Sequence, residues 1–295
     1  MASSRVTVIG ASGLVGQALT RVLESHRYEV RGTYASRPAE GRTRLDLTDA
    51  AQVRDYFVRV QPQAVFLTAA LTHVDYCEGH PEEAFRINAE GAKSVATEAA
   101  RYGSKLVFYS TDYVFDGSDG PYDEGAQPSP VSVYGKSKLE AEKTVQTILK
   151  DALILRTTVV FGWDRSSKNF AMQVYHELQA GKPMRVPEDQ FGNPTLVDYL
   201  AEASVRLFQQ GTHGVVNVVG KDLLSRADFG KALAKVFGLD PALVQPVATS
   251  ALQQRAQRPL RGGLKTEKLS QLLGIQSMPL EEALKRLRRQ WRADV

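Results

Sequence analysis

Only one cysteine, Cys77, stands among the 295 residues. An intrachain disulfide is therefore excluded, a reducing compartment fits, and no thiolate cluster is available for zinc. Histidine is scarce too, and His26, His73, His80, His176 and His213 show no paired metal-ligand spacing, so no metal is expected. No apolar run approaches the roughly 20 residues that cross a bilayer, which argues against membrane insertion. Met1-Ala-Ser-Ser-Arg5 leads directly into an apolar strand, without the charged region, apolar core and cleavage site of a signal peptide. A cytoplasmic protein is expected. Basic stretches interleaved with aromatics are also missing, which argues against a nucleic-acid partner.

What is present is ordinary globular composition: 43% hydrophobic and 24% charged residues, with 23 Gly and 13 Pro. Disorder, collagen and coiled coil are excluded. The length exceeds the size at which single cores stop growing, which predicts two lobes. Net charge is +4, unevenly spread: residues 1–160 hold 18 basic and 20 acidic side chains, and residues 161–295 hold 19 and 13. An anionic ligand in the second half is one reading. A solvated basic helix ending Lys285-Arg286-Leu287-Arg288-Arg289 is the simpler source of the excess.

Strand and helix patterns alternate through the first half. Arg5–Ile9 reads as a β-branched strand, a Gly/Ser turn follows, and Leu14–Glu24 places Leu14, Val15, Ala18, Leu19 and Val22 on one helical face. Further strands are predicted at Glu29–Tyr34, Thr43–Leu45, the apolar run Ala64–Ala70, Lys105–Tyr109 and Ala152–Leu155. Helices are predicted at Ala50–Val60, from Pro81 to Tyr102 with Gly103 as cap, and at Val133–Leu149. Alternation of this kind implies an α/β fold with a doubly wound parallel Rossmann sheet. Residues 1–160 are read as the NAD(P)-binding domain. Residues 161–295 are read as mainly a substrate lobe, with helices near 168–180, 197–210, 226–237 and 280–291, short strands near 184–186 and 215–219, and part returning to the sheet.

Gly10-Ala11-Ser12-Gly13-Leu14-Val15-Gly16 occupies the first strand-to-helix turn, where glycines let a pyrophosphate approach a helix N-terminus. Its G-x-x-G-x-x-G spacing is a moderate signal and also suits a purely structural turn. After the second strand, where NAD enzymes place an acid, the chain reads Tyr34-Ala35-Ser36-Arg37. Ser36 and Arg37 suit a 2′-phosphate, so NADPH is favoured and NADH is the second choice. Arg37 reads otherwise as a solvated loop residue. Asp46-Leu47 after the third strand suits an adenine edge, or a helix cap made with Thr48. Ala69-Ala70 leaves small side chains where the backbone would pass the cofactor.

Ser110-Thr111-Asp112 at the fifth strand's end and Tyr134-Gly-Lys-Ser-Lys138 form the most telling pair of motifs. Tyr134 and Lys138 share a helix face. A phenol near pKa 10 is a poor acid at neutrality, and an adjacent ammonium is expected to lower that value and make Tyr134 a usable general acid. Thr111 would hydrogen-bond the same carbonyl oxygen, and Lys138 would also hold the nicotinamide ribose. A lone Tyr-x-x-x-Lys is usually a surface pair; the glycine turn and the hydroxyl at the preceding strand end favour catalysis.

With Ala69-Ala70-Leu-Thr72-His-Val74-Asp75, Tyr109-Ser-Thr-Asp-Tyr-Val-Phe-Asp-Gly117, Tyr134–Lys138, Asp189-Gln190-Phe-Gly192-Asn-Pro194-Thr195 and Arg258-Pro259, nearly the whole chain resembles the extended short-chain dehydrogenase/reductases, and among them the dTDP-4-dehydrorhamnose reductase family. The resemblance implies an NADPH-dependent reductase acting on the 4-keto group of a nucleotide-linked deoxysugar. It implies Thr111, Tyr134 and Lys138 as the catalytic set, with the cofactor on Gly10, Ser12, Gly13, Leu14, Val15, Ser36, Arg37, Asp46, Leu47, Ala69, Ala70 and Thr72. The nucleotide sugar would meet Thr111, Asp112, Tyr113, Gln190, Asn193 and Arg258. Asn193-Pro194 as a turn, Thr195 as an N-cap and Arg258 as a loop cation are the plainer readings. One departure stands out: Val159 occupies the place of a tryptophan in the rhamnose-forming enzymes. An aliphatic residue there is similar to the regulatory subunit of methionine adenosyltransferase, and implies as an alternative an NADP-binding partner protein without turnover. A homodimer stays open.

Overall fold

The computed structural model describes residues 4–164 and 167–294. Six strands alternate with helices through the first half: β1 Arg5–Ile9, β2 Glu29–Tyr34, β3 Thr43–Arg44, β4 Ala64–Leu67, β5 Lys105–Thr111 and β6 Leu153–Thr157. A seventh, Gly214–Asn217, comes from the second half and pairs in parallel with β6. The sheet order is Gly214–Asn217, β6, β5, β4, β1, β2, β3, with every pairing parallel. Strand order therefore reverses between β1 and β4, and in such sheets that crevice, at the carboxyl ends, is where ligands bind.

Both faces of the sheet are covered, which is why its strands read as apolar runs. Val6, Val8, Phe66, Val107, Leu153 and Leu155 face one core, which α1 (Leu14–Ser25) joins through Leu19 and Leu23, together with much of the second half. Ile9, Val65, Leu67, Leu106, Phe108 and Ile154 alternate to the opposite core, closed by α2 (Ala50–Val60) and by α5 (Gly91–Tyr102) and α6 (Val133–Ile148). Truncating a fully buried ring such as Phe108 to Ala is expected to cost about 3–5 kcal/mol.

In the first half one helix went unread and one was simplified in the sequence, and in the second half the helix Glu267–Leu273 went unread. A six-residue α3, Val74–Gly79, precedes Pro81, and its run Val-Asp-Tyr-Cys-Glu-Gly carries no helical apolar period. The helix predicted from Pro81 to Tyr102 is α4 (Pro81–Phe85), a π-helical turn Arg86–Glu90, then α5, capped by Gly103 at φ 63°. That turn has a purpose in packing: Asn88 within it accepts from the Leu71 N–H at 2.7 Å and donates to the Leu71 carbonyl and the Ser137 hydroxyl. β5 runs two residues beyond the predicted end, to Thr111.

In the second half, α7 (Phe170–Gln179), α8 (Val197–Gln209), α9 (Arg226–Phe237), α10 (Glu267–Leu273) and α11 (Leu280–Asp294) are joined by short strand pairs, including Phe191–Gly192 against Leu224–Ser225. Helix α8 packs against α1, with Arg21 and Asp198 paired at 3.0 Å. Among the described residues no helix is long and apolar enough to cross a membrane, and no cluster of His, Cys, Asp and Glu is set up for a metal.

Candidate active site

At the switch point the chain leaves β1 through Gly10, at φ 91°, a left-handed conformation that suits glycine. A Cβ there would stand 2.7 Å from the Ala69 nitrogen, just after β4, so β1 and β4 hand over their loops in close contact. Thr68 holds the junction by donating to the Ile9 carbonyl at 2.9 Å. Gly16 is also a packing glycine, since its Cβ would fall 2.2 Å from the Gly10 oxygen. Gly13 differs. It caps α1, and its added Cβ would meet only the Gly10 oxygen, at an ordinary 3.4 Å, leaving open space at the helix N-terminus. The three glycines of the motif thus divide into two that fit the chain to itself and one that leaves room for a phosphate.

A cleft of about 360 Å³ lies beside this turn, lined by Ser12, Gln17, Arg37, Glu40 and Arg42 among others. Ser36 and Arg37 follow β2 and are exposed. Arg42 was not read from the sequence. Its guanidinium donates to the Ala11 carbonyl, and its stem lies over Gly32 at the end of β2. A cation bound to the glycine loop itself is better fixed than the exposed Arg37, yet a lone arginine in a loop of Ala, Glu and Gly gives no sequence signal. The donor set, two guanidinium groups and a serine beside an open helix N-terminus, fits an anionic dinucleotide.

Asp46 does not cap the following helix. It accepts from the Thr48 N–H and hydroxyl at 2.9 and 2.8 Å, while Asp49 is the N-cap, accepting from Ala51 and Gln52. Leu47 is buried against α5, where a Cβ on Gly91 would meet it at 2.9 Å. Leu14 and Val15 are half-buried at the start of α1, Ala69 and Ala70 are half-buried after β4, and Thr72 is exposed.

Thr111 ends β5, in register with Thr157 of β6. Its hydroxyl lies 3.3 Å from an Asp112 carboxylate oxygen and accepts from the Tyr113 N–H at 3.2 Å. Tyr134 stands in the first turn of α6, which Ser132 caps by accepting from Gly135. Its ring meets that of Tyr113 edge-on at 5.6 Å, and the Thr111 side chain lies near its hydroxyl. Lys138 is buried one turn on, donating to the Tyr109 carbonyl at 2.7 Å with its ammonium 4.1 Å from the Phe108 ring centre.

The expected lowering of the phenol pKa is overturned. Burial pushes Tyr134 well above its usual value, more than the neighbouring Thr111 side chain draws it down. Burial also pulls Lys138 down to about 7, against the carboxylate of Glu142, which favours the ammonium. Tyr134 is therefore a firmly protonated phenol, able to give a proton once negative charge develops on a neighbouring oxygen. Asp112 is raised by burial as well, opposed by hydrogen bonds from Thr158, Gly263 and Thr111 and by the charge of Arg226.

The second half closes over this cluster. Asn193 is buried and accepts from the Leu264 N–H at 2.8 Å, and Gln190 donates to Thr249 and Gln254, so both side chains stitch loops together. Arg258 donates to Asp75 at 2.8 Å, and its Nη1 is buried without a protein partner. Asp75 also accepts from the Ala256 N–H, and Glu78, on the same α3, accepts from the Val133 N–H that opens α6. Arg226, at the start of α9, and Arg258 are the cations that act on Tyr113. Arg226 also went unread in the sequence. Val159 sits at φ 46°, rare for a β-branched residue, with its Cγ2 2.9 Å from where a Gly192 Cβ would stand.

Parallel strand order, a glycine turn at the switch point and a Thr, Tyr and Lys cluster beside it define an oxidoreductase of the extended short-chain dehydrogenase/reductase class. The chain belongs to the RmlD substrate binding domain family, which matches residues 4–292. It is 32% identical to a probable low-salt glycan biosynthesis reductase of Haloferax volcanii, over 94% of this chain and 95% of that one. It is 30% identical to methionine adenosyltransferase 2 subunit beta of Danio rerio, over 95% and 89%. In three dimensions it resembles dTDP-4-dehydrorhamnose reductase of Bacillus anthracis in complex with NADP, with TM-score 0.88, 29% identity, and coverage of 98% of this chain and 99% of that one.

Proposed function

We propose that the protein reduces the 4-keto group of a nucleotide-linked deoxysugar with NADPH. The observation that carries this reading is the convergence of buried Thr111 and Lys138 with half-buried Tyr134 at the carboxyl edge of the sheet, beside the open N-terminus of α1. Gly13, Ser12, Arg37 and Arg42 would hold the cofactor's phosphates, and Lys138 its nicotinamide ribose. Reduced nicotinamide, when bound, supplies hydride to the carbonyl carbon. Thr111 orients the carbonyl oxygen. Tyr134 donates its proton to that oxygen as charge develops there, so ketone becomes alcohol. Asp112 and Tyr113 would lie beside the sugar, and the free Nη1 of Arg258 suits an oxygen of the diphosphate. Residues 1–160 would thus serve the cofactor and residues 161–295 mainly the substrate.

Relatives that include a methionine adenosyltransferase subunit make a silent cofactor-binding partner the competing reading. Following NADPH oxidation with a panel of nucleotide-4-ketosugars separates the two. Turnover with at least one sugar is expected; tight NADPH binding without turnover on any of them favours the partner protein.

A further inference from the structure

Beneath Lys138 lies a charge pair to which the reaction outlined above gives no part. Glu142, one turn further along α6, is 2% exposed and takes both Nε (3.0 Å) and Nη2 (2.7 Å) of Arg156, itself 4% exposed. Arg156 lies on β6 directly across from Ser110, one residue before the Thr157 that pairs with Thr111. Its guanidinium also rests 5.1 Å from the Phe115 ring centre, and its Nη1 has no partner. A buried ion pair is weak evidence for stability, because desolvation offsets much of its attraction. This one stands in line with Lys138 at i, i+4 spacing.

We propose that Glu142 and Arg156 are positioning residues that act through Lys138: the Glu142 carboxylate keeps the buried ammonium charged, and Arg156 limits how strongly it does so. The inference rests on reading Lys138 as part of the reductive site. Other titratable groups face α6 from its neighbours. Asp112 and Tyr113 follow β5, Tyr109 lies on β5, Cys77 and Glu78 lie on α3, and Glu98 lies on α5. Glu78 is engaged by the Val133 N–H, Glu98 is paired with Arg101, and Asp112 with Thr111 and Gly263. Glu142 is the charged group that opposes the burial of Lys138.

The sign of each change follows. Glu142→Gln removes the favourable charge and leaves Arg156 to repel the ammonium, so Lys138 loses its proton at lower pH. Arg156→Met frees the full carboxylate charge and moves the titration up. The double variant removes both charges and falls between Glu142→Gln and wild type. The full chain labelled with 13Cε-lysine is titrated by NMR without cofactor or substrate, the Lys138 signal being the one missing in Lys138→Met. A downward shift of about one pH unit or more in Glu142→Gln is expected, with the order just given. NADPH affinity, measured calorimetrically against pH, should weaken over the same shifted range. If Glu142→Gln does not fold because Arg156 is stranded, the double variant carries the comparison, since it leaves no buried guanidinium without its carboxylate. An unmoved Lys138 titration in a folded Glu142→Gln or double variant would overturn the proposal and leave the pair a packing device. Wild-type protein that titrates as described but turns over no ketosugar would sink the proposed reaction alone.

Discussion

Lys138 reaches back from α6 to the main-chain oxygen of Tyr109, 2.7 Å away, two residues before Thr111 on the same strand. One buried ammonium therefore ties the helix carrying the phenol to the strand carrying the threonine. The separation between the Tyr134 phenol and the Thr111 hydroxyl is set by the fold, which is what the proposed reaction would require of a preorganised site.

Removing the phenolic oxygen should affect chemistry more than structure. Tyr134→Phe is expected to lower turnover by roughly 100-fold or more, the usual scale of general acid catalysis. Thr111→Val should cost less, since it orients without supplying a proton. Steady-state rates with circular dichroism as the folding control decide the matter, and wild-type turnover in Tyr134→Phe would remove the phenol from the mechanism.

Stability should carry a pH signature of Lys138. The folded protein releases this proton near pH 7, whereas the unfolded chain keeps it until about 10.5. Between those values the unfolded state binds more protons, so this group makes the fold more stable as pH rises, and its penalty is full below pH 7. Lys138→Met should therefore be more stable than wild type at about pH 6, by an amount on the order of a few kcal/mol, and lose that advantage by about pH 10. Urea titrations at both ends test this; a difference independent of pH contradicts it.

The glycines of the first turn should separate by function. Gly13→Val should fold and fail to bind NADPH, because its side chain enters space that the chain leaves open. Gly16→Ala should lose stability, since its methyl group would collide with the Gly10 carbonyl. Thermal melts alongside calorimetry distinguish the two, and normal NADPH affinity in folded Gly13→Val would make the turn merely structural.

Arg42 is expected to matter at least as much as Arg37 for cofactor choice. Loss of one charge-assisted contact to a 2′-phosphate should weaken NADPH roughly 10-fold or more and leave NADH nearly unchanged. Paired titrations of Arg37→Ala and Arg42→Ala with both cofactors give the ratio directly. An unaltered NADPH to NADH preference in both would dismiss the guanidinium explanation.

The alternation of strand and helix was readable because burial on both faces writes continuous apolar runs, as in Ala64–Leu67 and Leu106–Phe108. The Thr111, Tyr134 and Lys138 constellation was readable because helical spacing and a strand end are both local. Relations across distant segments were not. Nothing in the spacing of Asp75, Glu78, Arg226 and Arg258 announces that they converge, since their loops meet only when the second half folds over the first. The cap left open as the alternative role of Asp46 falls to Asp49, because Asp46, Thr48 and Asp49 all suit a helix start and only the backbone path selects among them. The phenol pKa was misjudged because a neighbouring ammonium is visible in sequence while depth of burial is not.

The strand Gly214–Asn217 sets a limit on how the chain can be cut. Cleavage near residue 160 would not release a finished sheet, for β6 would be left with a bare row of N–H and C=O groups along Leu153–Arg156. An uncovered apolar edge of that kind recruits other strands. A gene fragment encoding the first half alone should therefore precipitate or pair edge to edge, and any protease that nicks the connecting loop should find the two pieces still clasped.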